Sequence, residues 1–147
     1  MLDLEDNLWA KETLKKLDFF SHCAGDDIAL LAESLEKHRY RKETVILFQG
    51  EISNRFFLIK KGTVSVWKTA GDNKKMVAEL GPGSYFGEIS LMTPSGATAT
   101  VKAQTDAEIL SLAFEDFEVA FHQDPDQLES IRKKIEERKQ NQISPSK

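Results

Sequence analysis

The stretch FGEISLMTPSGATATV, residues 86–101, contains the strongest pattern in this sequence, and the rest of the chain is interpreted from it. Gly87 permits a tight backbone turn and the close approach of a ligand. A short helical turn from Glu88 to Leu91 would leave backbone N–H groups unpaired at its start, and such groups suit an anion such as phosphate. Glu88 would repel a phosphate, but it would accept hydrogen bonds from a sugar hydroxyl beside that phosphate. Acceptor and donor groups placed together in this way favour a nucleotide.

Outside this stretch, the apolar pattern predicts helices at both ends of the chain and short strands between them. Helical spacing occurs in ETLKKLDFF (12–20), in DDIALLAESLEKHRY (26–40), at Phe114, Phe117 and Phe121, and in a last helix with a narrow apolar stripe. The helix predicted for LEDNLWAKETL (4–14) could pack on this body or on another protein. Between the helices lie the apolar or alternating runs ETVILFQG, FFLIKKGTVSVWK, KKMVAEL, TATVKA and AEILSLA. Their regular spacing and the intervening glycines predict a mainly β fold, either a closed antiparallel barrel or a jelly roll.

The stretch at 86–101 resembles the phosphate-binding cassette of the cyclic nucleotide-binding domain family. That cassette typically reads F-G-E-(aliphatic)-(Ala/Ser/Gly)-L, a short link, and then R-(Ala/Ser/Thr)-A-T-V. Residues 86–91 and 97–101 match it apart from the arginine. Upstream, Gly50-Glu51 and the run FFLIKKGTVSV with Gly62 also fit the family pattern. The resemblance extends roughly from Leu14 to Ile135, and the family includes kinase regulatory subunits, gated channels and the bacterial catabolite activator protein.

The resemblance implies an eight-stranded antiparallel jelly-roll barrel (a double-stranded β-helix) with N- and C-terminal α-helices, and a ligand such as cAMP or cGMP. In the family, the cassette glutamate binds a ribose hydroxyl and the next two backbone N–H groups bind the cyclic phosphate. A residue just after the arginine often adds a hydroxyl or an N–H group, and the C-terminal helix often closes over the base. Carried over to this chain, the ligand-binding residues are Phe86, Gly87, Glu88, Ile89, Ser90, Ala97, Thr98 and Ala99.

Ala97 occupies the position at which the family pattern has arginine. The family arginine forks onto the phosphate oxygens, a geometry that other residues do not replace well. Losing one hydrogen bond to a charged group, about 1.5–3 kcal/mol, would weaken binding about tenfold to a hundredfold. No Lys or Arg lies between residues 89 and 100. Arg55 and Lys102 are conceivable donors, although Lys102 alternates with Val101 and is expected to point out of the barrel.

Three hypotheses about function follow from these residues. The cavity could retain weakened or altered cyclic nucleotide binding through backbone amides, Ser90, Thr98 and a cation from elsewhere. It could instead bind a different, less charged ligand that carries a hydroxyl group. Alternatively, the domain could be a ligand-free protein-interaction module on the same fold.

The first hypothesis is preferred, with the chain as a stand-alone regulatory or sensor module in signal transduction. A single domain is predicted over 1–138 and a disordered polar tail over 139–147. Another protein is expected to read the state of the module through its terminal helices. The apolar stripe of the last helix could alternatively form a homodimer seam; it consists of Leu128, Ile131 and Ile135.

Composition and missing motifs argue against other classes of protein. A net charge of −4 and a pI of about 5.4 disfavour nucleic acid as a partner. No metal site is expected, because the three histidines are predicted in or beside helices and lie far apart in sequence: His22, His38 and His122. The sequence contains no GxSxG, P-loop or HExxH motif, so an enzyme is not expected either. The single Cys23 fits a reducing compartment. No apolar run approaches the roughly 20 residues of a membrane span, so the chain is predicted to be cytoplasmic.

Overall fold

The computed structural model describes residues 2–92 and 95–143. Its helices are α1 (Leu4–Lys16), α2 (Gly25–Ser34), α3 (Phe114–Ala120) and α4 (Pro125–Ile143). Its strands are β1 (Glu36–Tyr40), β2 (Val45–Leu47), β3 (Ile52–Ser53), β4 (Arg55–Lys61), β5 (Val64–Ala70), β6 (Asn73–Leu80), β7 (Tyr85–Phe86), β8 (Ser95–Gly96), β9 (Thr100–Ala103) and β10 (Ala107–Ala113). A 3-10 turn, Glu88–Leu91, follows β7.

Eight of these strands form two four-stranded antiparallel sheets. Their orders are β1-β10-β4-β7 and β2-β9-β5-β6, while β3 and β8 form a separate two-stranded ribbon. Eight strands divided between two facing sheets make a jelly roll. The predicted eight-stranded antiparallel jelly roll with flanking helices is therefore confirmed, with the ribbon as an addition. Among the described residues no ladder joins the two large sheets, so the jelly roll is open at their edges rather than closed by hydrogen bonds.

Two apolar layers hold the fold together, and β4 contributes to both. Its side chains alternate between the two faces of the sheet, as strand geometry requires. Phe57 and Ile59 face the other sheet, and on that face Phe57 stacks on Phe86 of the neighbouring strand β7 with ring centroids 4.7 Å apart. Phe56 and Leu58 face the helices and are fully buried there. All four positions are thus covered, which explains why FFLI reads as a continuous apolar run.

The first helix, α1, packs on the body of its own chain. Ala10 and Leu14 are fully buried in the layer between helices and sheet. The Asp6 carboxylate accepts from the Nζ atoms of Lys37 at 2.7 Å and Lys60 at 3.1 Å. Of the two alternatives for this helix, the structure therefore supports packing on this body.

The second predicted helix ends earlier than expected. α2 stops at Ser34, and residues 36–40 form β1, which pairs with β10 from Glu36–Ser111 to Tyr40–Ala107. The prediction of helix over 35–40 was wrong, and His38 lies on a strand. EKHRY has no apolar period of its own, and hydrogen bonding to the edge of β10 decides its conformation.

The last helix, α4, starts as predicted, with the Asp124 carboxylate accepting from the Gln127 N–H at 3.4 Å. It continues to Ile143, so residues 139–143 of the predicted tail are helical, and residues 144–147 lie outside the described part of the chain. Ile131 and Ile135 are fully buried in the layer between helices and sheet. These two members of the stripe are therefore covered by their own chain and do not form a homodimer seam in this conformation, while the homodimer itself stays a prediction. No helix in the described residues has the length and apolar character needed to cross a membrane.

Candidate functional site

The cassette begins with a turn that only glycine fits. Gly87 has φ +81°, a region that L side chains rarely adopt, and a Cβ placed there would lie 2.8 Å from the Arg55 carbonyl oxygen. The chain then enters the 3-10 turn, where the Ser90 N–H donates to the Gly87 carbonyl oxygen at 3.1 Å. The tight turn predicted from the sequence is thus present, held close against β4.

The donors and acceptors of this turn differ partly from expectation. The Ser90 N–H was expected to face a phosphate, but in this conformation it is bonded to Gly87. The Ile89 N–H precedes the first hydrogen bonds of the turn, as expected for a helix start. Glu88 and Ser90 are both buried, with 7% and 5% of their surface exposed. A buried carboxylate is largely removed from water, so its charge must be stabilised by specific polar groups rather than by solvent.

One cavity of about 1250 Å³ connects the cassette with the sheet opposite. One wall is the cassette, and the other is the β5–β6 hairpin with Val66 and Ala78. Leu47 and Val101 contribute apolar surface between them. All eight residues predicted to bind a ligand line this cavity: Phe86, Gly87, Glu88, Ile89, Ser90, Ala97, Thr98 and Ala99. A large cleft with apolar walls and a few convergent polar groups is the usual form of a small-molecule site.

The second half of the cassette is held by the segment that carries the upstream Gly-Glu pattern. The Gly50 N–H donates to the Ala97 carbonyl oxygen at 2.8 Å, and the Ala97 N–H donates to the Glu51 carbonyl oxygen at 2.9 Å. The Glu51 carboxylate in turn accepts from the Phe48 N–H at 2.9 Å. Gly50 and Glu51 therefore position Ala97 through the backbone, which explains why the two motifs occur together.

Neither cation considered from the sequence reaches the cavity. Arg55 Nη1 donates to Ser111 Oγ at 3.0 Å and lies 3.4 Å from a Glu36 carboxylate oxygen. Lys102 Nζ is 2.7 Å from a Glu43 carboxylate oxygen, so it points outward as the alternation predicted. Both charges are paired elsewhere, and neither residue lines the cavity.

Two lysines that sequence reasoning missed do line the cavity. They are Lys68 on β5 and Lys75 on β6. The alternation of Val64, Val66 and Lys68 along β5 would have placed Lys68 on the inner face. Nothing in the sequence indicated Lys75, because its orientation depends on the register of the hairpin.

The back of the 3-10 turn contacts the helical layer. Leu91 is fully buried in the same cluster as Ile131 and Ile135 of α4, and Ile89 packs against that cluster. The helix was expected to close over a base, but no described residue of α4 lines the cavity. In this conformation α4 therefore touches the cassette from behind rather than covering its ligand side. The described residues also contain no cluster of three or more His, Cys, Asp or Glu side chains that could hold a metal ion.

Comparison with known proteins agrees with these features. A model of the cyclic nucleotide-binding domain family matches residues 37–124. The chain is 30% identical to the cyclic AMP receptor protein of Thermus thermophilus over 105 residues, 71% of this chain and 49% of that protein. It is 32% identical to a cAMP-dependent protein kinase regulatory subunit of Mycosarcoma maydis over 90 residues, 61% of this chain and 17% of that protein. The chain thus spans about half or less of the length of these relatives.

A solved structure shows the same fold over nearly the whole chain. The N-terminal domain of a transcriptional regulator from Streptomyces coelicolor superimposes with a TM-score of 0.77 at 22% identity. The match covers 92% of this chain and 99% of that one. At this level of identity the likeness establishes the fold and leaves the ligand to be argued from the site.

Proposed function

This chain belongs to the cyclic nucleotide-binding domain family, and on that premise we propose that it is a non-catalytic regulatory module whose cavity binds a cyclic nucleotide. One observation carries the proposal. The eight residues that the family pattern selects from the sequence all line a single cavity, with the Glu88 carboxylate buried at its cassette wall. Spacing in the sequence and position in the fold therefore point to the same site.

Each part of the cavity suits one part of such a ligand. The Glu88 carboxylate accepts from a ribose hydroxyl, and the Ile89 N–H and the Ser90 hydroxyl face the cyclic phosphate. The Thr98 hydroxyl adds a donor on the other arm of the cassette. Apolar walls formed by Leu47 and Val66 provide the surface against which a base packs.

The contact between the cassette and α4 offers a route for a bound ligand to act on the outside of the molecule. Ile89 and Leu91 project from the back of the 3-10 turn into the helical layer. A shift of this turn on binding changes their packing against Ile131 and Ile135. A partner protein that contacts α4 then senses whether the cavity is filled. The existence of such a partner protein stays a prediction, and so does the cytoplasmic location.

A second candidate is the ligand-free interaction module. It is favoured by Ala97 in place of a cation and by the Ser90 N–H, which already donates to the Gly87 carbonyl oxygen. A phosphate would have to break that hydrogen bond or use the Ile89 N–H as its one backbone donor of the two that the family pattern predicts. The two candidates differ in one measurable property, which is saturable binding of a nucleotide.

Calorimetric titration of the full chain with cAMP and cGMP tests the proposal. We expect saturable binding that weakens about tenfold to a hundredfold in Glu88→Ala, because a hydrogen bond to a charged acceptor is lost. Glu79→Ala is the matched control, since Glu79 is exposed on β6 and does not line the cavity. Circular dichroism melting of both variants confirms that they fold.

Ala97→Arg supplies the group that the cassette pattern leads us to expect. It should strengthen binding by about the same tenfold to hundredfold factor. No measurable nucleotide binding by the wild type, together with binding by Ala97→Arg, would contradict the proposal and favour the interaction module. No binding by either protein would exclude cyclic nucleotides as ligands of this cavity.

A further inference from the structure

Two lysine side chains stand directly opposite each other on the hairpin wall of the cavity. The register of the β5–β6 ladder pairs Lys68 with Lys75, and both residues line the cavity. Like charges directly opposite each other across an antiparallel pair are destabilising. In the part of the chain that the structure describes, no carboxylate forms an ion pair with either ammonium group. The hairpin therefore presents two uncompensated positive charges toward the cavity.

A bulge in the hairpin produces this arrangement. The register shifts between Val66 and Trp67, so that Val66 faces Ala78 but Trp67 faces Met76. Without that shift, Lys68 would face Met76. The extra residue on β6 turns Lys75 toward the same side as Lys68. Bulges commonly re-aim side chains next to functional sites.

The other charges of the cavity do not balance this pair. Glu88 is the one carboxylate among the described lining residues, and it lies on the cassette wall. Arg55 and Lys102 are engaged with carboxylates outside the cavity. The described lining thus has two positive groups on the hairpin and one negative group on the cassette.

We propose that Lys68 and Lys75 together bind the negative charge of the ligand, in the role expected of an arginine at position 97. The cavity then selects a phosphate ester or another anion over an uncharged ligand of the same shape. For a cyclic nucleotide, this inference rests on the function proposed above. A lysine acts as a point charge on a flexible stem, so it needs no fork geometry to neutralise a phosphate. Because both side chains are exposed, each contributes only about threefold to fivefold in affinity, and the pair contributes about tenfold.

The test titrates the full chain with cAMP, with uncharged adenosine and with inorganic pyrophosphate. The variants are Lys68→Gln, Lys75→Gln and the double substitution. Lys74→Gln is the matched control, because Lys74 is the next residue on the same strand, does not line the cavity and has its Nζ 5.4 Å from the Trp67 ring centroid. Amide resonances in ¹⁵N-labelled protein report where each probe binds.

Four outcomes separate this inference from the proposed function. If cAMP binding weakens about tenfold in the double variant while adenosine binding and Lys74→Gln are unchanged, both ideas stand. If cAMP binds and Glu88→Ala weakens it, but the double variant does not, the lysine pair is refuted and the proposed function stands. If pyrophosphate alone shifts the amides of Lys68 and Lys75 and the double variant abolishes this, the anion site stands without the nucleotide. If no probe binds, both ideas are overturned.

Discussion

Replacing Asp6 with asparagine should loosen the attachment of α1 to the sheet. The Asp6 side chain is 4% exposed and holds two ammonium groups, Lys37 Nζ at 2.7 Å and Lys60 Nζ at 3.1 Å. Asparagine keeps the shape but removes the charge and replaces one carboxylate oxygen with an NH2 donor, so both ion pairs are lost and one of the two lysines meets a donor instead of an acceptor. Hydrogen bonds to charged groups contribute about 1.5–3 kcal/mol, so we expect the free energy of unfolding to fall by about 2 kcal/mol. For a chain of this size, that lowers the melting temperature by about 4–8 °C.

Urea denaturation of the wild type, Asp6→Asn and Glu5→Gln measures this effect. Glu5 is the exposed neighbour of Asp6 in the first turn of α1, so Glu5→Gln makes the same charge change without losing a buried contact. We expect Glu5→Gln to stay within about 0.5 kcal/mol of the wild type. An equal loss of stability in both variants would refute the reasoning, because a general charge effect would then explain it.

The difference in stability between the wild type and Asp6→Asn should depend on pH, and the direction of this dependence follows from the pKa of Asp6. The hydrogen bond from Lys37 lowers the pKa of Asp6 below its ordinary value of 3.8. A carboxyl group whose pKa is lower in the folded state stabilises the fold above its unfolded pKa, and this stabilisation is lost as the pH falls through the folded pKa. The gap between wild type and Asp6→Asn should therefore be constant above about pH 5 and shrink below about pH 4. A gap that is unchanged at pH 3 would contradict the ion-pair account.

Three further predictions concern single positions away from the cavity. Gly62 and Gly50 have nearly equal φ angles of +89° and +88°, but a Cβ at Gly62 would collide with the Asp106 carbonyl oxygen, whereas one at Gly50 meets nothing within 4 Å. In urea denaturation, Gly62→Ala should therefore lower the free energy of unfolding by about 1–3 kcal/mol more than Gly50→Ala does. Burial raises the pKa of the Cys23 thiol to about 11, so its labelling by a thiol reagent at pH 8 should be about a hundredfold slower than in urea-unfolded protein. Ile135 is fully buried in the helical layer, so Ile135→Ala should lose about 2–5 kcal/mol and Ile135→Val about 0.5–1.5 kcal/mol, and equal losses would contradict that burial.

The cassette was predictable because its structure is local. Gly87 needs a positive φ and has a backbone oxygen at its Cβ position, so the residue type alone marks the turn. Glu88 and Ser90 follow within three residues, and their positions are set by that turn. Ala97 to Ala99 return to the same cavity because the Gly50-Glu51 segment binds the backbone of Ala97, a contact that only the structure revealed.

The errors and omissions lie where distant segments determine the structure. Strand β1 has a polar sequence without a strand pattern, and it exists because β10, about 70 residues later, offers an edge. Lys75 stands opposite Lys68 only because of the register shift between Val66 and Trp67. Regular pairing without that shift would have placed Met76 opposite Lys68 instead. Pairing register and bulges depend on both strands together, so neither can be read from one of them.

The burial of the α4 stripe limits how a ligand could be sensed. Releasing α4 would expose Ile131 and Ile135, and each such side chain contributes about 1.5–3 kcal/mol when buried, or about 3–6 kcal/mol together. A ligand shifts a conformational equilibrium only through its difference in affinity for the two states, so full release would need a difference of more than about a hundredfold. On the proposal above, contacts with the two exposed lysines contribute about tenfold to the affinity of an anionic ligand, which is the most that they can add to such a difference. Full undocking of α4 therefore requires more than these contacts supply, whereas a small shift that keeps the stripe covered requires less. Because Ile89 and Leu91 connect the cassette to this stripe, a displacement of the 3-10 turn is the movement that a partner on α4 would read.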